Sequence, residues 1–204
     1  MVDLSPLGLP DLGAVDAALF DLDGTLVDSE PVHREAWRSF FASRGWNVSE
    51  ETYVSQFVGR RGTDVLRGTD GPWRDEDPDD LLAEVLTHLA EVAAEPATVP
   101  GAARLVRRVH DAGVPVAVVT SAPRSWVDEA LDLLGVADLV STVVTAEDVT
   151  AGKPDPEGYL EACSRLRVDP ARAAAFEDST SGVRAAVSAG ISQVFGVLTT
   201  SDRE

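Results

Sequence analysis

The chain is poor in cysteine and in positive charge, and it has no long apolar run. Its one cysteine, Cys163, excludes an internal disulfide and fits a reducing compartment. Lys+Arg number 17 against 35 Asp+Glu, a formal net charge of −18. Such a surface repels phosphate backbones, so nucleic acid is not an expected partner. It also repels a phosphate ester unless local cations or a metal offset the field. No apolar stretch approaches the ~18 residues of a membrane helix, and no membrane partner is expected. The first dozen residues carry neither a basic n-region nor an apolar h-region, so no signal peptide is expected, and with the single cysteine the expected location is cytoplasmic. Repeats and low-complexity tracts are also absent. The 204 residues, 44% hydrophobic, suffice for one sizeable domain or a core with a small insert.

What is present centres on Phe20-Asp21-Leu22-Asp23-Gly24-Thr25. The apolar run Ala17–Phe20 is short and bounded, as in a buried strand that ends at Asp21. Asp is a poor strand residue, so two of them at a strand exit call for a reason. A plain Asp-Gly turn is one. A calcium loop is excluded, because its twelfth position is Val32 rather than a bidentate Glu and the preceding segment reads as strand. The functional alternative is a nucleophilic carboxylate beside a proton-carrying one, both near a divalent cation.

Along the chain, residues 1–14 read as a loose lead-in. Pro31 marks a helix start with Ser29 as a possible cap, Trp37, Phe40 and Phe41 fall at helical spacing, and Gly45 ends that helix. Further helices are expected from about Glu50, from Thr63 and over 81–94, with a polar loop over 70–80. Nothing between 30 and 95 resembles a strand. After Val99-Pro100-Gly101, helices (102–112, 125–134, 156–166, 182–189) alternate with strands (114–119, 141–144, 173–176, 193–197). That alternation predicts an α/β fold, a Rossmann-like parallel sheet with crossover helices, interrupted by an all-helical insert. The expected division is a core of 13–27 and 97–204 with a helical cap over 28–96.

Three of the expected strands end in polar residues: Asp21/Asp23, Thr120/Ser121 and Glu177/Asp178. In a parallel sheet these ends share one edge. Gly152-Lys153-Pro154 lies in a connection that can return there. Singly, each has an ordinary alternative: a helix cap for Thr120-Ser121, a solvated surface residue for Lys153, a helix-start acidic pair for Glu177-Asp178. Together they supply the carboxylates, hydroxyl and ammonium that phosphoryl transfer requires.

With these motifs in place, the chain resembles the haloacid dehalogenase-like hydrolases from about Ala17 to Val197, and within them the phosphatases similar to β-phosphoglucomutase that carry a small helical cap. The resemblance implies that Asp21 attacks phosphorus and that Asp23 protonates the leaving oxygen and then deprotonates water. It implies Mg²⁺ held by Asp21, the Asp23 backbone carbonyl and Asp178, with Glu177 joining directly or through water. Thr120 and Lys153 would bind the phosphoryl group, helped by the backbone around Ser121. Dehalogenases of the family lack a carboxylate at the Asp23 position, so its presence favours phosphorus chemistry.

In the cap, His33 is expected to point at substrate or at Asp23. Gly59-Arg60-Arg61-Gly62 reads as a mobile cationic loop suited to an anionic or hydroxyl-rich ligand. His88 and His110 are expected to be ordinary helix residues, Trp37 and Phe41 cap core, and Cys163 a packed, unreactive thiol. Hinges are expected at 27–30 and 94–100. The mutase holds its second phosphate with an Arg three residues after the loop glycine, a position that here is Gly62. The expectation is therefore a monomeric Mg²⁺-dependent phosphatase of a small sugar or polyol phosphate. A β-phosphoglucomutase-like mutase, a phosphoglycolate phosphatase and a non-enzymatic phosphate-binding protein are the alternatives. The last strand, near the chain end, is expected to leave an exposed sheet edge.

Overall fold

The computed structural model describes residues 15–92 and 96–198. The expected lead-in over 1–14 and residues 199–204 lie outside the described residues, as do 93–95.

The predicted alternation builds a five-stranded parallel sheet. Its strands are β1 (Ala17–Phe20), β4 (Val116–Val119), β5 (Thr142–Val144), β6 (Ala173–Glu177) and β7 (Gln193–Gly196), in the order β5-β4-β1-β6-β7. Ala, Val, Leu and Phe fill the three central strands up to Glu177 at the end of β6, and every residue of β1, β4 and β6 is buried. Such continuous burial marks a sheet covered on both faces. The two-residue period of a strand divides these side chains between two cores. Ala18, Phe20, Val116, Val118, Ala174 and Phe176 pack with α5 (Ala102–Asp111) and α6 (Arg124–Leu134) on one face. Ala17, Leu19, Ala117, Val119, Ala173 and Ala175 pack with α7 (Glu157–Leu166) and α8 (Thr180–Ser188) on the other. Phe20 and Phe176 stack with ring centroids 4.6 Å apart, and Phe195 continues the stack at 5.0 Å. Among the described residues β7 pairs only with β6, so it forms a sheet edge as expected.

Chain order decides where a ligand can bind. β4 and β5 lie to one side of β1, and the next crossover returns to the other side for β6 and β7. The order reverses at β1, so the crevice of this sheet opens at the carboxyl end of β1.

Between β1 and α5, four helices of the described residues form a separate layer, the helical cap: α1 (Glu30–Ser43), α2 (Glu50–Gln56), α3 (Gly62–Gly68) and α4 (Pro78–Glu91). Trp37, Phe40, Phe41, Tyr53, Phe57, Val65, Trp73 and Leu81 make its core, as expected for Trp37 and Phe41. Trp73 is 2% exposed although it sits in the segment read as a polar loop. Local polarity hid it, because one large ring can leave a polar turn and still fill a distant core. His88 bonds to Ser39 at 3.0 Å and packs edge-on to Phe40, and His110 lies beside Asp111, so both are ordinary helix residues.

The expected hinges turn out to pair with each other. Val27–Asp28 (β2) and Ala97–Thr98 (β3) form a two-residue antiparallel ribbon where the chain leaves and re-enters the core. A ribbon this short has no periodicity to read. Ser29 also departs from expectation. It stands at the cap position of α1 but makes no side-chain cap bond, and its hydroxyl is used elsewhere.

Candidate active site

β1 ends at Phe20, and Asp21 follows it into the crevice, 6% exposed. Gly24 turns the chain back with φ +82, and the amides of Leu26 and Val27 close onto Leu22 O at 2.8 and 3.0 Å. This is the expected Asp-Gly turn, and it serves a site as well. A Cβ on Gly24 would lie 1.9 Å from Asp178 Oδ2, so the glycine lets the loop pass directly against that carboxylate.

Lys153 arrives from the connection between β5 and α7 and is 8% exposed. It is the only lysine in the chain. Its Nζ donates to Asp21 Oδ1 at 2.5 Å and to Val119 O at 3.0 Å, and lies 2.6 Å from Glu177 Oε1. Glu177, the last residue of β6, is fully buried. Tyr159 on α7 donates to its Oε1 at 2.6 Å, and Ser179 to its Oε2 at 3.3 Å. Ser179 also caps α8 by accepting from Gly182 N at 3.1 Å. A Cβ on Gly182 would fall 2.0 Å from the Glu177 carboxylate, so the first turn of α8 must carry a glycine there.

Asp21, Glu177 and Asp178 can each offer one oxygen with all three within 4.8 Å of one another. Burial pushes the Asp21 carboxyl well up; Lys153 opposes this, and the neighbouring carboxylates of Glu177, Asp178 and Asp23 add to the rise. Asp178 is pushed up to about 7, first by burial and then by Glu177. Burial alone would lower Lys153, but Asp21 and Glu177 overcome it and hold the ammonium above its usual range. The cluster is therefore short of positive charge. Asp21 Oδ2 is also buried without a hydrogen-bond partner. A divalent cation fits such a set: hard oxygen donors, an excess of negative charge and an oxygen left unsatisfied.

Asp23 sits beside this cluster with a more open side chain, 27% exposed. Ser29 Oγ donates to its Oδ1 at 2.5 Å, and Trp126 Nε1 donates to the same oxygen at 2.9 Å. Its Oδ2 lies 3.5 Å from Thr120 Oγ1. Thr120, at the end of β4, is buried and accepts from Ala122 N at 3.0 Å. Pro123, not Thr120 or Ser121, precedes the first turn of α6, so the hydroxyl is not spent on capping that helix. Ser121 is half-buried at the same strand end. His33 Nε2 is 3.9 Å from Asp23 Oδ1, the proximity expected of it.

The two cap arginines behave differently from a mobile pair. Arg61 is 15% exposed, and its guanidinium donates across to the core, to Ala146 O at 2.8 Å, Val149 O at 3.3 Å and Thr150 O at 3.4 Å. Arg60 Nη1 donates back to Gln56 O at 3.2 Å. Ser181 Oγ reaches Gly59 O at 2.8 Å, so this loop is docked on the core. Trp126 and Tyr159 are the contributors that sequence reasoning missed. Neither carries a motif, and each reaches the site only through folding.

A family model of haloacid dehalogenase-like hydrolases matches residues 15–190. Over 188 residues the chain is 42% identical to a validoxylamine A 7′-phosphate phosphatase of Streptomyces hygroscopicus subsp. limoneus, covering 92% of this chain and 87% of that protein. It is 32% identical to a phosphorylated carbohydrates phosphatase of Thermotoga maritima, covering 90% and 86%. The crystal structure of CbbY from Rhodobacter sphaeroides in complex with xylulose-(1,5)bisphosphate superposes with a TM-score of 0.75 at 28% identity, covering 90% and 87%. With the sheet order, the cap and the strand-end carboxylates all in agreement, this chain belongs to the haloacid dehalogenase-like hydrolases.

Proposed function

We propose that the chain is a Mg²⁺-dependent phosphomonoester hydrolase that removes phosphate from a small sugar or polyol phosphate by way of an aspartyl phosphate on Asp21. The observation that carries this reading is the unpartnered, buried Asp21 Oδ2 beside Lys153. Asp21 attacks the phosphorus, and the ester oxygen leaves with a proton from Asp23. Asp23 then takes a proton from water as that water attacks the aspartyl phosphate, and inorganic phosphate and free Asp21 result. Thr120, Lys153 and the backbone at Ser121 hold the phosphoryl oxygens, and Lys153 offsets the repulsion between Asp21 and its substrate. Asp21, Asp178 and the Asp23 backbone carbonyl would hold Mg²⁺, with Glu177 joining directly or through water. When bound, the metal neutralises charge on the phosphoryl group.

In this reading 13–27 and 97–204 are the catalytic core and 28–96 the specificity cap, with His33, Arg60 and Arg61 as its candidate substrate residues. The substrate class is supported by the names of the relatives, which include phosphatases of validoxylamine A 7′-phosphate, of phosphorylated carbohydrates and of hexitols. A β-phosphoglucomutase-like activity is the second reading. It is supported by a solved β-phosphoglucomutase-like structure from Thermotoga maritima, 31% identical with a TM-score of 0.66. Gly62, where that reading needs a phosphate-binding arginine, counts against it. A cytoplasmic location is part of the proposal; among the described residues no helix is long and apolar enough to cross a membrane.

The test is phosphate release from hexose, pentose and polyol phosphates, phosphoglycolate and β-glucose 1-phosphate, with Mg²⁺ or EDTA. Magnesium-dependent release that vanishes in Asp21→Asn is expected. Glucose 6-phosphate formed without free phosphate would support the mutase. No turnover of any ester would overturn both in favour of a binding protein.

A further inference from the structure

Asp23 is held asymmetrically. Its Oδ1 accepts two short bonds, from Ser29 Oγ at 2.5 Å and from Trp126 Nε1 at 2.9 Å, while its Oδ2 accepts one long bond from the buried Thr120 hydroxyl at 3.5 Å. An indole N–H can only donate. With Ser29 it occupies Oδ1, which leaves Oδ2 as the oxygen less engaged by the protein. The two donors also differ in where they are mounted. Trp126 is in the first turn of α6, its amide bonded to Pro123 O at 3.1 Å and its ring packed on the core between sheet and helix. Ser29 stands at the junction of β2 and α1 and belongs to the cap connection.

We propose that Trp126 is a positioning residue for acid–base transfer: it pins Asp23 Oδ1 from the fixed core, so that Oδ2 faces the ester oxygen and then the attacking water. This rests on the reading of Asp23 as the acid and base. Ser29 adds a second grip that depends on the cap connection, and Trp126 keeps the carboxylate aimed when that connection moves.

The test uses Trp126→Phe, which keeps the ring and removes the N–H, and as a second variant the sulfur isostere benzothienylalanine at position 126, which keeps the bicyclic shape. On the preferred alkyl phosphate both should lower kcat by about tenfold, the worth of one hydrogen bond to a charged group, with KM changed by less than about twofold. 4-Nitrophenyl phosphate separates the steps, because its leaving group needs no proton. Its first-turnover burst should keep the native rate while steady-state turnover falls. In an Asp23→Asn background, Trp126→Phe should leave the burst unchanged. Native kcat in both variants would overturn the proposal. So would a burst slowed as much as turnover, a loss carried by KM, or a further loss in the Asp23→Asn background. If instead Asp21→Asn retains a burst, the failure lies in the assignment of the nucleophile.

Discussion

At the scale of single residues, the buried charges dominate. Lys153 is the ammonium that faces Asp21 and Glu177, both nearly or fully buried. Lys153→Ala leaves those carboxylates uncompensated, and a loss of about 3–5 kcal/mol is expected in urea unfolding, together with the loss of activity. Gly182→Ala is expected to destabilise by about 1–3 kcal/mol and to lower turnover. Its Cβ would meet a carboxylate that Tyr159, Lys153 and Ser179 already hold in place, so Glu177 has nowhere easy to go. Cys163 is 2% exposed, and burial pushes its thiol up to about 11. A raised thiol stays neutral below that pH, so alkylation at pH 8 should be slow in the native protein and rapid in urea; fast native labelling would contradict this. Asp21, Asp23, Lys153 and Asp178 were legible in the sequence because their motifs are local. Trp126 was not, because a tryptophan at helical spacing carries no sign of what its N–H will meet.

At the scale of elements, the cap is joined to the core through a short ribbon and a docked loop. Arg61 donates to three core carbonyls supplied by the segment after β5. That segment is shaped by a 3₁₀ turn, Ala146–Asp148, in which the Asp148 side chain accepts from Thr145 N at 2.8 Å and from Thr145 Oγ1 at 2.9 Å. Arg61→Ala should cost about 1–3 kcal/mol through the lost charge-assisted bonds. A rise in KM at unchanged stability would instead favour the substrate role expected of it. Asp148→Ala should cost about 1 kcal/mol by uncapping the turn. Arg165 first, then the Thr145 amide, hold the Asp148 carboxyl down to about 2. A carboxyl depressed in the folded state contributes stability above its unfolded value of 3.8, and that contribution disappears as pH falls from 3.8 towards about 2. Acid titration of native and Asp148→Asn protein should therefore converge at the low end of this window. The helices of the core were readable from caps and apolar spacing. The β2–β3 ribbon and the burial of Trp73 were not, since both arise from contacts between segments far apart in the chain.

At the scale of the whole molecule, the charge of −18 sets how an anionic substrate arrives. Screening this field should raise kcat/KM for a phosphate ester as salt increases from about 20 to 150 mM, over which the Debye length shrinks to roughly 8 Å. A fall would mean that local cations at the cap govern capture. Mg²⁺ should raise the melting temperature in a concentration-dependent way, because an ion that binds only the folded state stabilises by mass action. The rise should be lost in Asp178→Asn, whose carboxylate is one of the three that converge.

By itself the sequence determined the class of fold and the chemistry at the strand ends. Both depend on short-range regularities: the two-residue alternation that divides β1, β4 and β6 between two cores, the helical periods between them, and carboxylates placed where strands stop. Only the tertiary structure decided who their partners are. Lys153 lies 132 residues from Asp21, and Trp126 lies 103 from Asp23. Sheet order brings them together, because β1 lies between β4 and β6 and the carboxyl ends of all three face one crevice. Hydrogen bonds at 2.5–2.9 Å depend on how helices pack over that crevice, and local propensity carries no information about such packing.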